Sequence, residues 1–529
     1  MTLERIKQIA ADYGILLLAL VAFSVLKLPH LTYAYYWDES WPYAPAIRQM
    51  YAHGVSLMPT AVDPELSRGH PLFFHALGAM WMHVFGGSHT SMHSFALAIS
   101  LGVLVAVYVA GLKLFNRNVA ILALLLTCIQ VVFFVQASFV LFEMLIALLA
   151  FLSIYQYSVG RYWAAGVCLT ALFYTKESGL IAGAVLGVHA VVSCFLPGVS
   201  WAERLRRLAA VGVPVALIGV FLLIQHSIRG WWVFPFYSNL VEHSWPAFWY
   251  KFRMSCVRLV FYENLKFYTY LVLLAVTVFA AVKSKQYRLL IMLLPAAIIF
   301  YYVDDLRAGR ILPSIPFFIL FMAAVAAFLG LFASRRYFPQ PAQRRMVVLC
   351  VCFVVAFLCF STMNFFTYRY LLAALVPMFF VAAVCFDLAI RLTYKALFYP
   401  IALVVAGIGL LSFRLNEGYG DADLGAFRGI HVQQQVVDYL EAANAYDSTI
   451  ATASFLEKQH LTDPATGFLK GTRAFSHIDY DIKPTTRYAV FDNIEPDDRI
   501  KAVHQDPGFV LLKRIEDQEV WAEIYVRKQ

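Results

Sequence analysis

The chain reads as an α-helical polytopic membrane protein, with about thirteen transmembrane helices followed by a small C-terminal α/β domain. Three observations predict this. The 529 residues are 61% hydrophobic and only 14% charged, against roughly 45–50% apolar and about 25% charged in soluble domains. Apolar runs close to membrane-spanning length recur between residues 11 and 413. The charge is also divided: residues 414–529 carry 13 Lys+Arg and 19 Asp+Glu, a net of −6, which leaves 29 basic and 14 acidic residues to 1–413. The basic residues are scattered between apolar runs and form no stripe, which argues against a nucleic-acid partner.

Spans are predicted at 11–29, 93–112, 118–138, 141–158, 162–176, 178–196, 208–226, 265–282, 288–303, 311–333, 346–366, 369–388 and 397–413. The first is too long for a signal peptide and lacks a small-residue cleavage site, so it is read as a retained helix. Segment 70–86 is apolar but carries His70, His75 and His83. It is placed at the interface, within an outer loop covering 30–92.

Lysine and arginine set the orientation. Arg5/Lys7, Lys113/Arg117, Arg161, Arg204/Arg206/Arg207, Lys283/Lys285/Arg288, Arg335/Arg336/Arg344/Arg345 and Arg391/Lys395 all fall on one side if segment 70–86 does not cross. That side is read as cytoplasmic, in the inner (plasma) membrane of a bacterium, which puts the C-terminal domain outside. The opposite side collects Asp38, Glu39, Arg48, Asp63, Glu65, Arg68, His70, Glu143, Lys176, Glu177, Arg229, Asp304, Asp305, Arg307, Arg310 and Arg369. Ionised groups at apolar runs cost free energy unless hydrated or partnered, so a mixed-charge crowd there points to a functional cavity.

The eight cysteines end at Cys385 and form no CxxC pair, which argues against a disulfide framework or a cysteine metal site. His89 and His93 are four apart on a predicted helix, but no fixed motif supplies a third zinc ligand. From Arg414 onward the pattern changes. Residues 432–443 have helical spacing, and 448–452, 488–491, 509–512 and 520–526 read as strands. No catalytic motif stands out in this domain of about 110 residues, and no internal repeat is visible in the chain.

The most informative local feature is the acid pair in Tyr33-Ala34-Tyr35-Tyr36-Trp37-Asp38-Glu39-Ser40-Trp41, just past the first span. An aromatic belt accounts for the tyrosines and tryptophans but not for the acids. Four further signatures follow in order: Gly69-His70-Pro71-Leu72-Phe73-Phe74, Phe142-Glu143-Met144-Leu145, Thr175-Lys176-Glu177-Ser178-Gly179, and Arg369-Tyr370-Leu371-Leu372 before Pro377. Over about residues 10–400 this set resembles the GT-C glycosyltransferases, nearest the protein O-mannosyltransferase and lipid A aminoarabinose transferase branch. Two departures bear on the acceptor: Trp41-Pro42 delays Tyr43-Ala44 by one residue, and the family's His-Pro-Pro is His70-Pro71-Leu72 here.

The resemblance implies transfer of a sugar from a polyprenyl phosphate to an extracytoplasmic glycan, lipid or protein. Such a reaction needs a base at the acceptor nucleophile, and Asp38 matches the first acid of the family pair. Glu39 is its catalytic neighbour, with acceptor contact and an orienting role toward Arg48 or backbone both open. The leaving phosphate needs cations: Lys176 and Arg369 first, Arg307 and Arg310 in reserve or as interfacial residues. Glu143 and His70 complete the site, Glu143 with the alternative of a structural pair with Lys176. No cofactor is implied; a divalent cation would use Asp304-Asp305. The aromatic stretch from Trp231 to Trp249 is either an interfacial anchor or a cover for the donor sugar. Membrane lipids are the remaining partner. A transporter or lipid flippase is the alternative; it would place charges near mid-span and commonly repeat its halves.

Overall fold

The protein is described by a computed structural model covering residues 3–528, apart from 239, 262–264, 303–313, 364–366, 453 and 496. Among these residues nine helices are long and apolar enough to cross a membrane: Asp12–Thr32, His89–Leu114, Glu177–Cys194, Trp201–Arg229, Lys266–Ser284, Pro316–Ala333, Pro341–Thr362, Tyr368–Arg391 and Lys395–Arg414. The other four predicted spans are shorter apolar helices: Arg117–Cys128, Glu143–Ser158, Tyr162–Phe173 and Tyr287–Tyr301. A twelve-residue helix rises about 18 Å, short of a hydrocarbon core of about 30 Å. The first of these is continued after a break by Val131–Gln136, every residue of which is buried. Irregular backbone at membrane depth is tolerated when protein surrounds it. At the break, Thr127 and Gln130 return their side chains to the carbonyls of Ala123 (2.8 Å) and Leu126 (2.9 Å).

Tyr368–Arg391 is the most buried of the nine and forms the centre of the bundle. It packs on Arg117–Cys128, Glu143–Ser158, Pro341–Thr362 and Lys266–Ser284. Small residues let helices approach closely: a Cβ on Gly111 would stand 2.7 Å from Ala120 Cα. Segment 70–86 forms the helix Phe73–Phe85, laid against Tyr43–His53, with Gly78 closing on Ile47.

The predicted basic loops meet one another at one end. Gln343 donates to the Leu114 carbonyl (2.6 Å), Arg345 to Ser158 (2.8 Å) and Lys283 to Thr393 (2.7 Å). Asn116 and Arg391 share Asp387, and Arg207 joins Tyr162 and Glu203. Tyr108 donates to the Asp12 carbonyl (2.6 Å), which puts the start of the chain at this same end. The loop 30–92 and the C-terminal domain sit at the other end, so the chain makes an odd number of passes.

The C-terminal domain has five strands: β1 (Thr449–Thr452), β2 (His477–Asp479), β3 (Tyr488–Asp492), β4 (Phe509–Asp517) and β5 (Val520–Arg527). Their order is β2-β1-β3-β5-β4. β1 runs parallel to β2 and β3, whereas β5 pairs antiparallel with β3 and β4. The helix Gly425–Ala442 covers the sheet and starts seven residues before its periodicity predicts. Its Phe427 ring packs on His30, Tyr33, Phe134 and Phe139 of the membrane unit. Arg48 pairs with Asp463 at 2.9 Å, and Tyr35 N–H donates to the Thr466 carbonyl at 2.8 Å. The domain is therefore seated directly on the loop that carries Asp38.

Candidate active site

Asp38 and Glu39 share a 3₁₀ turn after the first span. It opens at Trp37, whose φ of +55° lies in the left-handed region. A bulky residue there is a backbone outlier, the kind of strain that clusters at functional sites. The turn sends the two acids in different directions. Glu39 is fully buried. Its carboxylate accepts from Tyr36 N–H (3.2 Å) and Val140 N–H (2.5 Å), and His93 Nε2 lies 3.2 Å away. It ties the turn to segment 137–142 and to the helix His89–Leu114. For the expected catalytic or acceptor-contacting role this leaves no edge of the carboxylate facing open space. Arg48, the other group considered for Glu39, is spent on Asp463.

Asp38 pairs with Arg369 Nη2. Arg369 lies in the 3₁₀ turn Tyr368–Leu371 ahead of the central helix and is 2% exposed. Its Nη1 meets Asp421 and its Nε lies 3.6 Å from Glu143 Oε1. One planar fork thus faces three carboxylates. The expected donor-phosphate role of Arg369 meets this geometry: a further anion would enter against three acids around a guanidinium already engaged. Among the described residues the cation within 4 Å of Glu143 is Arg369, and not Lys176, its expected structural partner. Neither Glu143 carboxylate oxygen makes a hydrogen bond to a described residue.

Lys176 stands at the break between Tyr162–Phe173 and the next span, with extended backbone. Its Nζ lies over the rings of Phe142 (4.2 Å) and Tyr370 (4.5 Å). Among the described residues it makes no ion pair within 4 Å, although Glu143, Arg369, Glu177 and Asp38 all act on it electrostatically. His70 bridges Glu177 (Nδ1, 2.8 Å) and the Tyr237 hydroxyl (Nε2, 3.1 Å). Burial raises the Tyr237 phenol above its ordinary range, with Tyr370, Glu177 and Asp38 adding to the shift. Tyr237 therefore lies within the same field of charge.

The aromatic stretch divides. Gly69, at φ +69°, admits no Cβ: one would stand 2.8 Å from Trp231 and 2.9 Å from Phe234. Those two rings, with Phe236, roof a cavity of about 420 Å³ that also includes Glu65 and Arg68. Arg68 is held at φ +53°, with its guanidinium 5.1 Å from the Phe236 ring centre. Trp249 instead packs on Phe318. A second cavity, about 670 Å³ and almost wholly apolar, runs between Tyr162–Phe173 and Trp201–Arg229 up to Phe73 and Tyr174. Arg307, Arg310, Asp304 and Asp305 lie outside the described residues. Among the described residues no group of three or more His, Cys, Asp or Glu is placed to hold a metal ion; His89 and His93 turn to the carbonyls of Thr466 and Leu31.

Sequence reasoning missed Asp421, which sits between the last span and the C-terminal domain. Burial pushes its carboxyl up to about 6, against the pull of Arg369 and with Asp38 and Glu143 adding to the rise. One signal was available: an acid preceded by Gly418 and Gly420, seven residues past the end of the final apolar helix at Arg414, on the Asp38 end.

No protein-family model matches the sequence, and no curated protein matches it. Among solved structures the chain is similar to apo ArnT from Cupriavidus metallidurans, at 14% identity and a TM-score of 0.44, covering 97% of this chain and 98% of that one. It is also similar to ArnT from the same organism bound to undecaprenyl phosphate, at 14% identity and TM-score 0.42 over the same shares. A third similar structure is the archaeal oligosaccharyltransferase AglB from Archaeoglobus fulgidus, in complex with an inhibitory peptide and a dolichol-phosphate. There the identity is 11% and the TM-score 0.42, covering 93% of this chain and 70% of that one.

Proposed function

We propose that the chain is a membrane glycosyltransferase that moves a sugar from a polyprenyl-phosphate donor to an extracytoplasmic acceptor, with inversion. One observation carries the reading: a partly exposed carboxylate, Asp38, lies within electrostatic reach of Lys176, which has no ion pair within 4 Å among the described residues. Of the three acids on Arg369, Asp38 has 29% of its side chain exposed, against 4% for Glu143 and 10% for Asp421. Asp38 alone among them can reach an acceptor. Among the described residues Lys176 is a cation without an ion pair within 4 Å, free to meet a phosphate.

In this reading Asp38 takes the proton from the acceptor hydroxyl or amine as it attacks the anomeric carbon. The bond from that carbon to the phosphate oxygen breaks, and its electron pair stays on the polyprenyl phosphate. Lys176 meets the charge that grows there, with Arg68 on the adjoining loop as the second cation. Retention would need a second open carboxylate about 5–5.5 Å away as nucleophile; Glu143 and Asp421 are closed against Arg369. The apolar groove beside Tyr174 suits the lipid tail: its helix Tyr162–Phe173 gives it a length of about 18 Å. The basic loops at the far end support an extracytoplasmic site by the positive-inside rule.

Mass spectrometry of cell-envelope glycans, with and without the protein, tests the reading. The expected result is a sugar residue lost on deletion, restored by the wild type and not by Asp38→Asn. Unchanged glycan masses across all three strains would remove it.

A further inference from the structure

We infer that Asp421 is a positioning residue of the active centre, so that seating of the C-terminal domain completes the geometry of Asp38. The inference rests on the transferase reading for its kinetic consequence, but its structural content stands apart from it.

Asp421 belongs to neither the membrane bundle nor the sheet. It is carried by residues 415–424, and this connection is folded on itself. Asn416 donates to Asp423 Oδ1 (2.9 Å) and accepts from Leu424 N–H (2.8 Å). Gly425 N–H donates to the Gly418 carbonyl at 3.0 Å. The approach is so close that a Cβ on Gly425 would stand 2.4 Å from that carbonyl oxygen. The connection is fixed to both bodies. Gln136 Nε2 donates to the Asp421 carbonyl at 2.6 Å, and Gly425 opens the helix whose Phe427 packs on the membrane unit. Asp421 is thus delivered in one place, against Arg369 Nη1.

The consequence follows from the shape of the guanidinium. Its three nitrogens lie in one plane and face Asp421, Asp38 and Glu143. Glu143 is nearly fully buried, and its carboxylate oxygens have no hydrogen bond to a described residue. A buried carboxylate in that state attracts the nearest donor strongly. Asp421 pulls on the opposite side of the fork. Without it the guanidinium turns toward Glu143 and releases Asp38, the one acid with an open edge. The charged and titratable groups facing Asp421 are Arg369, Asp38 and Glu143, and the buried Tyr36 phenol, which Asp421 and Asp492 both act upon.

The test compares wild type with Asp421→Asn in the full-length purified protein. Asparagine keeps the shape and removes the charge. Transfer is expected to fall about 10–100-fold in kcat, with KM for the donor changed by less than about twofold. Reaction of the Asp38 carboxyl with a water-soluble carbodiimide, read by peptide mass spectrometry, should rise severalfold. Asp421→Glu should recover most of both readings. In an Arg369→Lys background Asp421→Asn should cost little more, because the two act as one unit. Unchanged Asp38 labelling overturns the inference, whether or not kcat falls. A wild type without transferase activity removes the proposed function and leaves the labelling result to decide the positioning role. If Asp421→Asn does not fold, Asp421→Ser, which also removes the charge, serves for both readings.

Discussion

The two ends of the helix bundle satisfy their charges in different ways. At the basic end the partners are close in sequence or are helix carbonyls. Arg207 pairs with Glu203 and Arg391 with Asp387, each four residues apart, and Arg345 caps the carbonyl of Ser158. At the other end Arg369 reaches Asp38 across 331 residues and Asp421 across 52, and Lys176 has rings rather than acids against it. The first arrangement pairs its acids with arginines four residues away and backs them with further donors. The second depends on the whole fold, leaves the edge of Asp38 open and, among the described residues, Lys176 without an ion pair, and gains little stability for the charge it buries. Structures keep such arrangements mostly at functional sites.

If that contrast is right, the largest effect belongs to Asp38. Asp38→Asn keeps the shape and removes the base. Turnover of purified enzyme should fall about 10³-fold, within the span of 10²–10⁴ for a lost general base. Near-normal turnover would make the open edge of Asp38 incidental.

Arg369→Met ranks next and reads out on stability. Three carboxylates would remain in a buried patch without their common cation. Removing one partner of a buried pair typically costs about 3–5 kcal/mol, so thermal unfolding in detergent should shift down by many degrees. A small shift would mean the acids are neutralised some other way.

Lys176→Ala should leave the fold intact and weaken donor use. The loss of one charge-assisted contact is worth about 1.5–3 kcal/mol, or about 10–150-fold in kcat/KM for the lipid-phosphate donor. An unchanged kcat/KM would move the phosphate to another group, with Arg68→Ala as the next variant to measure.

What the sequence made legible follows the same division. The bundle was readable because apolar length and loop basicity are local properties. Segment 70–86 was readable because its histidines spoke against a crossing. Four of the five strands were placed; β2 was missed because three residues carry too little alternation to stand out. Asp38 and Lys176 were singled out in the sequence because charges beside apolar runs are conspicuous. The direction of Glu39 was not legible, since one turn of backbone decides whether a carboxylate faces Val140 or the cavity. Nor was the engagement of Arg369, because its partners come from three distant parts of the chain. Asp421 was hidden in a connection whose composition reads as a plain loop.

A pH measurement sharpens the contrast further. The Asp421 carboxyl is pushed up to about 6 by burial, against about 3.9 in an unfolded chain. The folded state therefore holds the proton more tightly between those values. This contribution to stability is complete below about pH 4 and is lost as pH rises through about 6, by at most about 3 kcal/mol. Asp492 and Glu495 are raised in the same direction and add to the slope. Unfolding midpoints from pH 4 to pH 7.5 should fall less steeply for Asp421→Asn than for wild type. Parallel curves would mean the carboxyl titrates in its ordinary range.

The smallest effect belongs to the basic end, and it is the control for all the others. Arg391 is 41% exposed and its partner Asp387 is fully buried, so a buried acid is again at stake. Here, however, Asn116 donates to Asp387 Oδ2 at 2.9 Å and Asn118 to Oδ1 at 3.4 Å. Removing the arginine leaves the carboxylate still hydrogen-bonded, and half-exposed ion pairs are worth about 0–1 kcal/mol. Arg391→Ala should shift the unfolding midpoint by no more than a degree or two and leave turnover unchanged. A loss comparable with that of Arg369→Met would show that burial of the acid, and not the number of its remaining donors, sets the cost, and the distinction between the two ends would fail.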